Sequence, residues 1–150
     1  MNKKYQVFER QRIIPLMLAG FFLCAGAFSY LLWRPQTLAE QWLEFLLPFS
    51  LINSLSEIRQ ALHLEVPLWL SGSFADVCWA VALTAAIWWG ELRSYLLPLV
   101  VVCSMELAQL AGVIPGTFDS YDLVGMSLAV LLTYAFLKTL SGGKDEQQCV

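Results

Sequence analysis

The chain has 150 residues, of which 58% are hydrophobic and only 14% charged, and its mean hydropathy is +0.61. Soluble domains run at about 45–50% apolar and about 25% charged, so a surface compatible with water is out of reach, and disorder, which needs low hydrophobicity and high net charge, is excluded too. Six Trp, five Tyr and nine Phe suit a bilayer protein with aromatic interface belts, while the net charge of −3 and the lack of a basic stripe argue against a nucleic-acid partner.

A polar opening with Lys3, Lys4, Arg10 and Arg12 leads into residues 13–33, a stretch without a charge. At 1.5 Å per residue it is long enough for a bilayer core of about 30 Å. Pro15 is expected in its first turn, where a missing N–H is harmless, and Tyr30 and Trp33 are its interfacial aromatics. The run is too long for a signal-peptide core and has no small-residue cleavage site, so it reads as a retained anchor.

Residues 36–70 carry charges too often for a span. Leu38, Trp42, Phe45, Leu46 and Phe49, then Leu51, Leu55, Ile58 and Leu62, recur at amphipathic helical spacing, with a break at Pro48. They predict helices lying in the outer interface. Further spans follow at 73–89, 95–112 and 121–140, joined by a polar turn at 90–93 and a Pro-Gly loop at 113–119. Lys3, Lys4, Arg10, Arg12, Arg93, Lys138 and Lys144 then fall on one side, and only Arg34 and Arg59 on the other. The positive-inside rule places both termini in the cytoplasm. The expected fold is an all-α, four-helix transmembrane bundle forming one domain over residues 1–150, N-in and C-in, in a bacterial inner membrane.

That orientation gathers the intramembrane acids near the outer leaflet. Asp76 lies near the outer start of span two, Glu106 about 9 Å inside the outer end of span three, and Asp119 and Asp122 straddle the outer start of span four. Ionisable groups at such depths are costly and face a bundle interior or a wet cavity. Helical spacing groups Cys103, Glu106, Gln109 and Leu110 on span three, Asp119, Asp122, Gly125 and Met126 on span four, and Asp76, Trp79, Ala80 and Thr84 on span two. Asp76, Glu106, Gln109, Asp119 and Asp122, with Arg59 as counter-ion, form the candidate binding site. His63 contributes only when protonated and is otherwise an exposed interfacial side chain. Without such a counter-ion, a proton, a metal ion or a cationic ligand must balance the carboxylates.

Structural readings compete at each position. Asp119 is expected to N-cap span four, Asp76 to close the first turn of span two, and Glu106 and Gln109 to be interhelical glue. Cys24, Cys78, Cys103 and Cys149 are widely separated and form neither a CxxC nor a metal-ligand cluster, and no cofactor fingerprint is visible.

The string Glu106-Leu-Ala-Gln109, followed by Thr117-Phe118-Asp119 and Asp122, resembles the VanZ-like family of small bacterial polytopic membrane proteins. Residues 73–79 resemble the segment that precedes this pattern in the family. Gly116 stands where many members carry Arg, and Met126 where many carry Asn. The family's prototype is associated with resistance to the glycopeptide teicoplanin, so the resemblance implies a cell-envelope context. The expected function is non-enzymatic binding of an envelope lipid, a cationic ligand or a partner protein in an outward-facing acidic pocket. One rival is a membrane-embedded enzyme acting on lipid-linked envelope substrates by carboxylate acid/base chemistry on Glu106 and Asp122, although no HExxH or GxSxG motif is present. The other is an accessory subunit of a larger membrane complex, and thin spans leave oligomer formation open.

Overall fold

The computed structural model describes residues 3–33, 53–54, 57–58, 68–114 and 118–141. They form four principal helices: α1 (Lys3–Trp33), α2 (Leu68–Trp89), α3 (Leu96–Leu110) and α4 (Ser120–Ser141). No strand occurs among the described residues. Three stretches, Ile13–Trp33, Gly72–Trp89 and Ser120–Ser141, are long and apolar enough to cross a membrane. Large apolar side chains such as Met17, Phe21, Val113 and Leu132 point outward, as they do where the surrounding solvent is lipid. The expected interfacial helices at 36–70 lie largely outside the described residues. Within that segment Asn53, Ser54, Glu57 and Ile58 are helical, and the last three residues already belong to α2.

Helix bounds depart from the expected spans in informative ways. α1 runs back through the polar opening to Lys3, whose Lys, Arg, Glu and Gln residues are good helix formers. Pro15 therefore sits inside the helix rather than in its first turn, where it offers no N–H to the carbonyl one turn back. α2 begins at Leu68, directly after Pro67 and five residues before the expected start at residue 73, so its length is 22 residues and no longer marginal. α3 is the short member at 15 residues, about 22 Å against a hydrocarbon core of about 30 Å.

α2 packs on all three other helices. Its small residues make this possible: Ala75, Cys78, Ala80, Ala82 and Ala85 are all buried. Without a strong hydrophobic drive between helices in lipid, close backbone approach and dense packing hold such bundles together. Gly26 shows how close. A Cβ built there would meet the Cys78 Cβ at 3.0 Å and the Ala75 carbonyl oxygen at 3.2 Å. On the opposite side of α2, a Cβ on Gly125 would lie 3.3 Å from Val77 Cγ2. Between these approaches Ala80, Val81, Val102, Met126, Ala129 and Val130 form the main core. Hydroxyls buried in the helices return to their own backbone, Thr84 Oγ1 donating to the Ala80 carbonyl at 2.8 Å and Ser29 Oγ to the Gly26 carbonyl at 2.9 Å, which makes their burial tolerable.

Candidate functional site

α1 and α3 scarcely touch, whereas each packs on α2. The gap between them is a cavity of about 560 Å³, within the usual range for ligand pockets of about 300–1,000 Å³. α1 supplies one wall through Phe22, Leu23, Gly26, Ala27, Tyr30 and Leu31. α3 supplies the other through Val102, Met105, Glu106 and Gln109, with Ala75, Asp76 and Trp79 of α2 and Met126 of α4 between them. The lining is apolar apart from Asp76, Glu106, Gln109 and the Tyr30 phenol.

Glu106 reaches this position because Val102, Glu106 and Gln109 share one face of α3. Val102 and Glu106 are buried and Gln109 half-buried. Leu110, expected on that face, is instead 61% exposed. The apolar residue that completes the stripe is Val102, one turn before Glu106. Glu106 is only 4% exposed and its Oε2 has no hydrogen-bond partner. The backbone N–H of Asp119 serves its carboxylate, and the charges of Asp122, Asp76 and Asp119 lie within electrostatic reach. Asp122, in the first turn of α4, is 7% exposed, and its Oδ1 is likewise unpartnered. It does not line the cavity; Met126, one turn further along α4, does.

The remaining site residues divide. Asp119 lies outside the cavity, is exposed, and accepts the Tyr121 N–H on its Oδ1 at 2.8 Å. Its own carbonyl accepts from Leu123 N–H at 3.2 Å. This is N-cap geometry, and its carboxylate is committed to the start of α4. Asp76 cannot close the first turn of α2, because the helix starts at Leu68 and Asp76 sits in the third turn. It is half-buried and lines the cavity. Arg59, His63 and Thr117 fall outside the described residues.

The α1 wall was not foreseen from the sequence. Its signal is the small-residue run Cys24-Ala25-Gly26-Ala27 with Tyr30 one turn on, which permits close approach to α2 while facing the gap. Among the described residues no group of three or more His, Cys, Asp or Glu is disposed to hold a metal ion. Cys24, Cys78 and Cys103 are free thiols. No protein-family model matches the chain, no curated protein is similar to it, and no solved structure resembles it.

Proposed function

We propose that this chain is a VanZ-like, multi-pass protein of the bacterial inner membrane that binds a ligand non-enzymatically in the cavity between α1 and α3. In this reading all four helices cross the bilayer, both termini are cytoplasmic, and the cavity opens in the outer half of the membrane. The charge bias of seven cations against two supports that orientation. α3, with 15 helical residues, crosses as a short span that a locally thinned bilayer accommodates. The resemblance of residues 106–122 to the VanZ-like pattern supports an envelope context for the ligand.

One observation carries the binding role. Glu106 is buried in the wall of the cavity with an oxygen that the protein leaves unpartnered. Such a group is expensive unless a ligand, an ion or a proton completes it. Glu106→Gln and Asp122→Asn are therefore expected to abolish a cavity-dependent envelope phenotype, such as altered glycopeptide sensitivity, while leaving membrane expression intact. Parental behaviour from both variants sinks the binding role and leaves a scaffold or subunit function.

The enzymatic reading draws on the same pair, since two buried carboxylates with unpartnered oxygens also suit acid/base work. It requires turnover of a purified lipid-linked envelope substrate that disappears in either variant. Binding without turnover decides for the non-enzymatic function.

A further inference from the structure

We propose that the cavity between α1 and α3 takes an amphiphile with a protonated amine head, the N–H groups directed at Glu106 and the hydrocarbon tail lying in the gap between the two helices. This rests on the binding role proposed above and names its ligand class.

Charge and hydrogen-bond capacity decide the head. Glu106 lines the cavity, is 4% exposed, and keeps Oε2 unpartnered. Asp76 stands in the same lining, and Asp122 lies within electrostatic reach of Glu106 with its own orphaned oxygen. The cations whose side chains the structure describes, Arg93 and Lys138, belong to the opposite end of the bundle. Arg93 stacks on Trp88 with its guanidinium carbon 5.8 Å from the ring, and Lys138 is in the last turn of α4. Among the described residues, then, none answers the Glu106 oxygen, and a ligand that brings both positive charge and a donor suits it best. Phosphates and carboxylates are repelled, and alcohols donate without charge. Quaternary ammonium groups bring charge but no N–H for the orphaned oxygen. A primary ammonium meets both demands with a charge-assisted hydrogen bond.

The rest of the cavity decides the tail. Away from Asp76, Glu106 and Gln109 its walls are Phe22, Leu23, Leu31, Val102, Met105 and Met126. Those walls belong mainly to the two helices that do not pack on each other, so a chain can enter between them from the lipid side. A small hydrophilic amine leaves this apolar volume unfilled, whereas an alkylamine fills it.

The test compares three twelve-carbon probes, dodecylamine, dodecyltrimethylammonium and dodecanol, on the full chain in nonionic micelles. Binding is read as a saturable change in tryptophan fluorescence, to which Trp79 in the cavity wall contributes. Dodecylamine is expected to bind about tenfold or more tightly than either analogue. Glu106→Gln is expected to erase that preference, and Met105→Trp, which fills the apolar arm and keeps the carboxylates, to weaken dodecylamine by a similar factor. Native mass spectrometry in phosphatidylcholine nanodiscs doped with lysyl-phosphatidylglycerol tells a lipid headgroup from a single-chain amine, and retention of either supports the ammonium class. Equal binding of dodecylamine and its trimethyl analogue, both weakened by Glu106→Gln, overturns the requirement for N–H and leaves the binding role standing. If no probe distinguishes the parent from Glu106→Gln and Met105→Trp, the ligand class and the binding role fall together.

Discussion

At one end of the bundle Trp88, Tyr134 and Tyr95 meet edge to face, with ring centroids 5.4 and 5.3 Å apart, and Arg93 covers the Trp88 ring. Ala85 and Leu137 are buried with Trp88 in one cluster, against which Leu18 and Ala19 of α1 pack. At the other end the same helices separate around a cavity, and two buried carboxylates keep oxygens without partners. Among the described residues the first end leaves no buried side-chain oxygen or nitrogen without a partner, whereas the second keeps two such oxygens and a cavity. Packing and hydrogen bonding of the first kind contribute stability. Orphaned groups and empty volume subtract from it and persist where a ligand completes the site.

The largest test of this contrast is Trp88→Ala. Removing a buried indole from the filled end should cost about 3 kcal/mol, read as a lower thermal unfolding midpoint in detergent. An unchanged midpoint would show that the aromatic cluster does not close the bundle. Gly26→Val probes the tighter of the two close glycine contacts at the cavity end. Its branched side chain meets the Cys78 side chain and the Ala75 carbonyl, and overpacking there should cost about 2 kcal/mol. Gly26→Ala should cost less, because alanine's helix propensity returns about 1 kcal/mol. If valine is tolerated as well as alanine, α1 and α2 are not in close contact there. Asp119→Ala comes next, with a loss of about 1 kcal/mol that Asp119→Asn largely restores, since either side-chain oxygen can cap α4.

At Glu106 the expected sign reverses. A buried carboxylate held by a cation loses several kcal/mol of stability when its charge is removed. Glu106 has one backbone donor and an orphaned oxygen. Glu106→Gln should therefore leave the empty protein as stable as the parent or raise its stability by about 1 kcal/mol, while removing ligand binding. A strongly destabilised Glu106→Gln would mean that the residue is a structural partner after all.

The spans were legible in the sequence because an apolar run needs no partner to be recognised. Residues 13–33 and 121–140 match the observed apolar stretches to within a residue. The start of α2 was harder to see, since Leu68-Trp69-Leu70 can continue a helix or sit in an interface, and the helix itself decides. That choice also removed Asp76 from the helix start and with it the capping explanation, whereas Asp119, directly before α4, could be read as a cap from its place alone. The α1 wall was hidden for a different reason. From Ile13 onward α1 is apolar on every side, so periodicity gives it no preferred face. Only the approach of Gly26 to α2 fixes which side looks into the gap.

The smallest test sets two helix ends against each other, one from each end of the bundle. α2 and α3 finish in the same motif. Leu92 N–H donates to the Ile87 carbonyl and Glu91 N–H to Trp88; Val113 N–H donates to Ala108 and Gly112 N–H to Gln109. Both motifs place one residue in the left-handed region, with φ of 67° at Glu91 and 70° at Gly112. At the cavity end that residue is glycine, which adopts the conformation without strain. At the filled end it is glutamate, whose Cβ crowds the backbone there. Glu91→Gly should raise stability by about 0.5 kcal/mol and Gly112→Ala should lower it by a similar amount. Both changes are small enough to need matched unfolding curves. If Glu91→Gly is instead destabilising, the glutamate side chain makes contacts worth more than the strain it imposes. The turn after α2 would then belong with the aromatic cluster as part of what closes that end.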